Sequence, residues 1–344
     1  MSGGSAPGPF SAAESAAMQR AIELAASSGI DRGPNPAVGC VLLGAGGEIL
    51  AEGSHRGPGT PHAEAAALAA LGASGGDARG ATAVVSLEPC AHHGRTPPCA
   101  DALIAAGVAR VVYAQTDPNP VAAGGAARLR AAGLEVAGGL LADEAADVNH
   151  IWSLAARLGR PVVTWKVAAS LDGRIAAADG TSQWITSPDS REQVHALRAS
   201  VDAVLTGTGT ALADRPQLTA RPQGGPALRQ PIRAVMGLTE MPDDHPLVDA
   251  MLLRTRDPAE ALGLLFAADV RHVMLECGPR LANAFLSDDL VDRIVWFAAP
   301  ILLGSFGLAV VEGGPVTLAD ADRWLMTSNG VCGPDVRIEL LKER

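Results

Sequence analysis

Aromatic and basic side chains are scarce in this chain. Phe, Trp and Tyr together make up 3% of its 344 residues, and only 1 residue is Tyr. Lys and Arg number 27 against 37 Asp and Glu, so the formal net charge is −10. Proteins that bind nucleic acid need basic side chains that displace counterions from phosphates, and single strands are usually held on stacked aromatic rings. The composition therefore argues against a nucleic-acid partner and favours a small-molecule substrate.

Cysteines and long apolar runs are scarce as well. The 5 cysteines are odd in number and dispersed, which argues against a disulfide framework and suits a reducing compartment. No run of about 18 apolar residues occurs without Gly, Pro or charge, so we expect no membrane-spanning helix. Residues 1–10 are rich in Gly, Ser and Pro, which predicts a flexible tail rather than a signal peptide. The expected location is the cytoplasm.

The length of the chain predicts two domains, because a single hydrophobic core rarely grows beyond about 250–300 residues. Hydrophobic residues make up 48% of the sequence, so there is apolar material for two cores. A helical stretch that begins near residue 142 ends at Gly159-Arg160-Pro161, where a new set of strands begins. We expect the first domain over residues 11–146 and the second over residues 147–344.

Short apolar runs alternate with helical patterns in both halves. In the first half, strands are predicted at 37–43, 81–87 and 108–114, and helices at 11–28, 63–71, 99–106 and 121–132. In the second half, strands are predicted at 162–168, 201–206, 232–236, 272–276, 293–298 and 336–341, and helices at 188–199, 258–268 and 281–287. This alternation predicts layered α/β domains with parallel or mixed sheets.

Four residues of the first half have the types and placement of a catalytic zinc site. His62 and Glu64 lie where a Gly/Pro-rich loop meets a predicted helix, Cys90 follows a predicted strand, and Cys99 begins the next helix. One imidazole and two thiolates leave the fourth position of tetrahedral zinc open for water, as in catalytic rather than structural sites. Glu64 would carry a proton from that water to a leaving nitrogen. The pattern predicts a hydrolytic deaminase.

Each of these features has an ordinary explanation when it stands alone. A histidine beside a proline usually belongs to a turn, and two cysteines in a chain of this length are more often buried apolar side chains than ligands. Nucleobase deaminases also carry two residues between their cysteines, whereas 8 residues separate Cys90 from Cys99. His92 and His93 in this longer loop could be spare ligands, but contact with substrate suits them better. The combination of all four residues is what predicts the catalytic site.

Several segments resemble the bifunctional deaminase/reductase family of riboflavin biosynthesis. In the first half they are Asn35-Pro36-Ala37-Val38-Gly39-Cys40, Pro61-His62-Ala63-Glu64, the segment from Glu88-Pro89-Cys90 to Pro97-Pro98-Cys99, and Asp117-Pro118-Asn119-Pro120. In the second half they are the segment from Lys166 to Arg174, Ser182-Gln183-Trp184-Ile185-Thr186, the segment from Thr206 to Thr210, Asp214-Arg215-Pro216 and Glu276-Cys277-Gly278-Pro279. The long interval between the cysteines is this family's form of the motif. The resemblance covers nearly the whole chain after the tail.

The resemblance implies a cytidine-deaminase-like three-layer α/β/α domain followed by a dihydrofolate-reductase-like α/β domain. The first would use zinc to hydrolyse the amino group of 2,5-diamino-6-ribosylamino-4(3H)-pyrimidinone 5′-phosphate and release ammonia. The second would use NADPH to reduce the ribosyl group of the product to ribityl. A homodimer or larger assembly formed through the reductase half is also implied.

The resemblance also implies site residues, position by position. The zinc ligands would be His62, Cys90 and Cys99, with Glu64 as the catalytic residue. The residues in contact with NADPH would be Ala168, Trp184, Thr210, Asp214 and Gly278. The residues in contact with the pyrimidine ribosyl phosphate would be Asn35, Ser182, Arg198, Leu218, Arg221 and Glu276.

Without the resemblance, the second half is less informative. It lacks the Gly-x-Gly-x-x-Gly pattern of a dinucleotide fold after its first strand. Residues 206–210, Thr-Gly-Thr-Gly-Thr, would let backbone N–H groups approach a phosphate, although such a segment is more often a plain turn. Arg198 suits a phosphate dianion, but a charge on a helix surface explains it equally well. Trp184 alone is more often a core residue, and Lys166 with Asp172 could assist hydride transfer.

Two departures from the family pattern concern the reductase half. Cys277 replaces the first Gly of Glu-Gly-Gly-Pro, which would weaken cofactor binding if that position requires a positive φ. Residues 242–260 form a shorter segment than is usual where the adenosine side of the cofactor is expected. Two other functions stay open: a deaminase of another nucleoside or nucleic-acid base with a non-catalytic second domain, and a module that only binds a pyrimidine or NADPH. Glu64 argues against a pure binder, which needs no proton shuttle.

Overall fold

The computed structural model describes residues 10–29, 33–92, 97–120 and 122–343. The chain divides into two compact units, residues 1–157 and 158–344. Most of the predicted tail and the start of the helix predicted at 121–132 lie outside the described residues. In the part that is described, no helix combines the length and apolar character needed to cross a membrane.

The first unit is built from one sheet and the helices that flank it. Its strands are β1 (Gly39–Leu43), β2 (Ile49–Ser54), β3 (Thr82–Leu87), β4 (Arg110–Gln115) and β5 (Glu135–Gly138). Its helices are α1 (Ala12–Ala26), α2 (Ala63–Ala73), α3 (Cys99–Ala105), α4 (Gly125–Ala131), α5 (Ala142–Val148) and α6 (His150–Leu158). The strand order is β2-β1-β3-β4-β5, with β1 antiparallel to both neighbours and β3, β4 and β5 parallel.

Each face of this sheet carries its own hydrophobic cluster. Side chains of successive strand residues point to opposite faces, so neighbours such as Val84 and Val85 belong to different clusters. Val84 packs with α1 and α5, whereas Val85 packs with α2, α3 and α4. The expected three-layer α/β/α arrangement of the first domain is confirmed.

The boundary between the two units lies after residue 157, which is later in the chain than the boundary we expected between residues 146 and 147. The segment that follows this boundary is fastened to the first unit by buried polar contacts. The Asn149 side chain exchanges two hydrogen bonds of 2.8 Å with the backbone of Ala37, and Ser153 Oγ accepts one of 2.8 Å from Gln115. These contacts cross long stretches of sequence, so the pattern of residues alone did not place α6 with the first unit.

The second unit contains a larger sheet. Its strands are β6 (Val162–Ser170), β7 (Arg174–Ala176), β8 (Ala203–Gly207), β9 (Ile232–Met236), β10 (Met251–Leu253), β11 (His272–Leu275), β12 (Arg293–Ala299), β13 (Leu308–Ala309), β14 (Trp324–Cys332) and β15 (Asp335–Lys342). Its α-helices are α7 (Pro188–Ala199), α8 (Thr208–Asp214), α9 (Pro258–Ala267) and α10 (Pro279–Ser287). The main sheet has the order β10-β9-β8-β11-β6-β12-β15-β14, while β7 and β13 pair separately.

The first six strands of that order run parallel, and the last two complete the sheet in antiparallel fashion. Helices α9 and α10 pack on one face, and α7 and α8 pack on the other. Parallel strands bring all their carboxyl ends to one edge of a sheet, where ligands of open α/β folds usually bind. That edge is therefore where a site of this unit is expected.

Polar caps set the starts of the helices where the sequence predicts them. Ser11 Oγ accepts a hydrogen bond of 3.1 Å from the backbone N–H of Glu14, whose carboxylate accepts one of 2.7 Å from Ser11 N–H. Ser187 Oγ accepts from Ser190 N–H at 3.2 Å, and Asp257 Oδ1 accepts from Ala259 N–H at 2.8 Å. These caps stabilise the first turns of α1, α7 and α9.

Candidate functional site

Three side chains converge at the helix starts of the first unit. His62 is the residue that precedes α2, Cys90 follows β3, and Cys99 is the first residue of α3. Their ligand atoms all lie within 4.8 Å of one another. In the described part of the chain, no other group of three or more His, Cys, Asp or Glu side chains converges in this way. The residues that the sequence predicts as zinc ligands are therefore brought together.

The distances suit a tetrahedral metal ion. His62 Nδ1 lies 3.2 Å from Cys99 Sγ and 3.7 Å from Cys90 Sγ. With usual bond lengths to zinc, a nitrogen and a sulfur ligand are about 3.6 Å apart at the tetrahedral angle. Both distances lie close to this value, so the three donors suit a tetrahedral zinc ion.

The electrostatics of the two cysteines also fit a metal ion. Hydrogen bonding with Cys99 and with His62 lowers the pKa of the Cys90 thiol, although burial opposes this shift. Its hydrogen bond with Cys90, together with burial and the nearby Glu64, raises the pKa of Cys99. Both sulfurs can be thiolates together only where a positive charge compensates them, and a divalent cation supplies that charge.

Glu64 lies beside this cluster in the first turn of α2. It is 3% exposed, and burial raises the pKa of its carboxyl, with a further rise from Cys90. A carboxyl group with a raised pKa is protonated more readily than a free one. The position of Glu64 beside the cluster and the direction of this shift both suit a residue that exchanges protons there.

Asn35 is held near the cluster by a histidine that the sequence analysis did not single out. His55 Nε2 lies 2.7 Å from Asn35 Nδ2, and His55 Nδ1 lies 3.0 Å from the carbonyl oxygen of Pro61. Burial lowers the pKa of His55, which favours the neutral ring. A neutral ring that donates from Nδ1 to Pro61 accepts at Nε2, so it fixes the amide orientation of Asn35. The only sequence signal for this role is the histidine at the end of β2.

Glu88 and Asp117, two acidic residues of the segments that resemble the family, lie in a buried hydrogen-bond network that holds the loops around the cluster. Glu88 is buried, and its carboxylate accepts hydrogen bonds from the N–H groups of Ala126 at 2.9 Å and Asp117 at 3.4 Å. Burial raises the pKa of Asp117 to about 6. His92 Nδ1 is buried without a hydrogen-bond partner among the described residues, and His93 lies outside them.

The second unit has a cavity of 1440 Å³ at the carboxyl edge of its parallel strands. The ends of β6, β8, β9, β10 and β11 line it, as do the first residues of α8 and α10. Pockets for one drug-sized molecule span about 300–1,000 Å³, so this cavity has room for a dinucleotide together with a second ligand. Thr206 Oγ1, fully buried in its wall, has no hydrogen-bond partner among the described residues.

A triad of charges lies in this cavity. The Glu276 carboxylate accepts hydrogen bonds from Arg198 Nε at 2.6 Å and Arg198 Nη2 at 3.0 Å, and Lys166 Nζ lies 3.3 Å away. Burial acts to raise the pKa of Glu276, but the charges of Arg198 and Lys166 outweigh it and lower the pKa to about 2. The carboxylate is therefore ionised throughout the neutral range. The alternative of Arg198 as a helix-surface charge is wrong, because its side chain is 14% exposed.

Most residues that the resemblance assigns to the second half line this cavity. They are Ala168, Ser182, Arg198, Thr210, Asp214, Leu218, Glu276 and Gly278. Trp184 and Arg221 do not line it. Trp184 is 68% exposed beneath the Arg191 guanidinium, so the alternative of a core residue is wrong as well.

Three expectations about this half need revision. The plain turn favoured for residues 206–210 is wrong, because helix α8 begins at Thr208 and packs Ala211 into the core. Cys277 does not have a positive φ, and its side chain packs against the hydrophobic core, so it causes no backbone strain. Asp172 does not line the cavity, since its carboxylate accepts hydrogen bonds from the N–H groups of Leu303 and Gly304 at 3.1 and 2.7 Å.

The fold and the ligand cluster define a two-domain α/β protein whose first domain is of the zinc-dependent deaminase class. Residues 11–115 match the family model of the cytidine and deoxycytidylate deaminase zinc-binding region. Residues 161–333 match the model of the RibD C-terminal domain. The expected fold classes of both domains are thereby confirmed.

Individual relatives agree over nearly the whole chain. The riboflavin biosynthesis protein RibD of Mycobacterium tuberculosis is 46% identical over 314 residues, which cover 90% of this chain and 91% of that protein. The crystal structure of Acinetobacter baumannii RibD is 36% identical, with a TM-score of 0.84 and coverage of 96% of this chain and 99% of that one. That of a Thermotoga maritima diaminohydroxyphosphoribosylaminopyrimidine deaminase/5-amino-6-(5-phosphoribosylamino)uracil reductase is 32% identical, with a TM-score of 0.78 and coverage of 96% and 99%.

The chain belongs to the RibD family of riboflavin biosynthesis proteins. It is an enzyme with a deaminase half and a reductase half. The alternative of a deaminase with a non-catalytic second domain is not favoured, since the match extends through both halves.

Proposed function

We propose that the first domain hydrolyses 2,5-diamino-6-ribosylamino-4(3H)-pyrimidinone 5′-phosphate to release ammonia, and that the second domain uses NADPH to reduce the ribosyl group of the product to ribityl. The observation that carries the proposal is the convergence of His62, Cys90 and Cys99 beside the buried Glu64. The Thermotoga maritima relative is named as a diaminohydroxyphosphoribosylaminopyrimidine deaminase and 5-amino-6-(5-phosphoribosylamino)uracil reductase, which supports the choice of substrate.

In the deaminase domain, His62, Cys90 and Cys99 would hold zinc, which supplies Lewis acidity and a nucleophile from water at neutral pH. Glu64 takes the proton of the attacking water and passes it to the leaving amino group. Its raised pKa favours this exchange, because the carboxyl can hold the proton between the two transfers. Asn35, held by His55, offers a fixed amide to the pyrimidine edge.

In the reductase domain, the cavity at the strand edge would hold NADPH, which supplies a hydride. By the family pattern, Ala168, Thr210, Asp214 and Gly278 would contact the cofactor, and Ser182, Leu218 and Glu276 would contact the substrate. All seven line the cavity. The guanidinium of Arg198 is engaged with Glu276 and with the carbonyl oxygen of Thr219, so we assign it to positioning Glu276. Lys166 is a proton donor at the cavity wall and suits the nitrogen of a ring-opened imine.

The proposal is tested with the purified protein, the diaminopyrimidine phosphate and NADPH, by following ammonia and NADPH separately. We expect ammonia to appear without NADPH, and NADPH to be oxidised only once deaminated product is present. Metal analysis of the same sample should give about one zinc per chain. Release of ammonia from cytidine or from adenosine in RNA, with none from the pyrimidine phosphate, would support the rival deaminase instead.

We also propose a homodimer formed through the reductase half. Strand β14 is the last strand of the main sheet and pairs only with β15 among the described strands. Its side chains include Leu325, Met326 and Val331, which are 54%, 55% and 81% exposed. An edge strand with apolar side chains is usually covered by another surface.

The oligomer is checked by light scattering of the full-length protein in solution. We expect the mass of two chains or a multiple of it. A double Leu325→Lys, Val331→Lys variant should give the mass of one chain, because buried charges oppose the contact. A wild-type mass of one chain would contradict the proposal.

A further inference from the structure

The reductase cavity has one end that the proposed site does not account for. There the cavity is lined by residues that follow β9 and β10, namely Met236, Gly237, Leu238, Thr239, Thr255 and Arg256. This set contains a cation and no carboxylate. In the order β10-β9-β8-β11-β6 this end is four strands from β6, or about 19 Å at the usual strand spacing.

Arg256 differs from the other cations of the cavity. Lys166 and Arg198 pair with Glu276, and Arg280 pairs with Glu312 at 3.0 Å. Arg174 lies on β7, which contacts β6, and β6 is three strands from β9 in the sheet order. Arg256 is exposed and has no ion pair with any residue that the structure describes. Its charge is therefore open to a ligand.

The backbone that carries Arg256 is held firmly. Thr255 is buried; its hydroxyl donates to Glu260 and accepts a hydrogen bond of 3.0 Å from Asp257 N–H. The Asp257 carboxylate caps α9, which explains why the acid adjacent to Arg256 does not pair with it. The segment between β9 and β10 is tied to α8 by a 2.9 Å contact from His245 Nε2 to Ala211 O.

We propose that Arg256 selects NADPH over NADH by binding the phosphate on the 2′ oxygen of the adenosine ribose. The proposal rests on the proposed NADPH-dependent function and assigns its cofactor specificity. With the charged triad at the β6 and β11 end, the reacting nicotinamide belongs there and the adenosine belongs at the β9 and β10 end. Leu238, 53% exposed in the same wall, offers an apolar surface to the adenine ring.

The chemistry of the wall supports this assignment. Sites selective for NADH place an acidic side chain on the ribose 2′-hydroxyl, whereas sites selective for NADPH place an arginine on the 2′-phosphate. A guanidinium forms paired hydrogen bonds to phosphate oxygens, and a carboxylate would repel them. The wall formed after β9 and β10 has the arginine and lacks the acid.

The test measures binding of NADPH, NADH, 2′,5′-ADP and 5′-AMP to the full-length protein by calorimetry. We expect Arg256→Ala to weaken the binding of NADPH and of 2′,5′-ADP by about 10- to 100-fold, because a charge-assisted hydrogen bond is lost. NADH and 5′-AMP should bind to the variant as to the wild type. Arg256→Lys keeps the positive charge and should keep most of the preference for NADPH over NADH.

Arg254→Ala is the matched control. Arg254 is two residues away, pairs with Glu240 at 2.8 Å and does not line the cavity, so this variant should bind all four ligands normally. If Arg256→Ala lowers the affinity for NADPH and for NADH equally, or lowers neither, the assignment of Arg256 is overturned while the reductase function stays intact. A wild-type protein that binds neither dinucleotide would overturn both this inference and the proposed reductase function.

Discussion

Glu64→Gln should lower the rate of ammonia release by about 10³-fold or more, while zinc stays bound and NADPH oxidation with deaminated substrate is unchanged. General acid–base catalysis alone contributes about 10²–10⁴-fold, and here one carboxyl serves both proton transfers. Glutamine has nearly the same shape, so the metal ligands at His62, Cys90 and Cys99 keep their positions. Ammonia release, zinc content and NADPH oxidation are measured on one preparation.

Two further variants separate the proton carrier from the metal site. Glu144→Gln makes the same chemical change on an exposed residue of α5 and should leave all three measurements at the wild-type value. Cys99→Ser should lose zinc and ammonia release together, because a ligand is removed. Unchanged turnover in Glu64→Gln would show that Glu64 is not the proton carrier, and full zinc content in Cys99→Ser would remove Cys99 from the ligands.

The zinc cluster could be predicted because its parts are local motifs at the ends of regular elements. His62 directly precedes α2 and Glu64 lies in its first turn, while Cys90 and Cys99 lie on either side of one loop. Residues at the end of a strand and at the start of the next helix lie at the same edge of a sheet. They therefore come close together without depending on particular long-range contacts. His55 was missed because a single histidine in a Gly/Pro-rich segment has no pattern of its own.

The charged triad was not predictable from spacing. Arg198 and Glu276 are 78 residues apart, and Lys166 is 110 residues from Glu276. They meet because β11 pairs with β6 in a register that places Leu275 opposite Trp165, so the next residues, Glu276 and Lys166, also lie side by side. Strand order in a sheet depends on long-range packing, which composition and periodicity do not reveal.

Several elements of the second unit were not predicted, and each has a physical reason. Strands β7, β10 and β13 contain two or three residues each, too few to show a period. Strand β14 is exposed along most of its length and includes Ser328, Asn329 and Gly330, which are poor strand formers. Helix α8 begins Thr-Gly-Thr, a sequence of low helix propensity, and is stabilised by the burial of Ala211.

Glu276→Gln should lower the stability of the second domain by about 3–5 kcal/mol at pH 7, because the charges of Arg198 and Lys166 are then left nearly buried without a counter-charge. It should also lower NADPH oxidation, since the same change releases Lys166 from its position at the cavity wall. Urea unfolding followed by circular dichroism gives the stability, and NADPH absorbance gives the rate.

The difference in free energy of unfolding between wild type and Glu276→Gln should become smaller as the pH falls. The pKa of Glu276 falls from a usual value of 4.5 to about 2 in the folded state, so its contribution is fully present above about 4.5 and is lost as pH falls towards 2. The difference between the two proteins should therefore decrease between about pH 4.5 and pH 2. Glu312→Gln breaks the exposed pair with Arg280 and should cost less than about 1 kcal/mol at any pH. Equal effects of the two substitutions at pH 7 would show that the buried triad does not stabilise the domain.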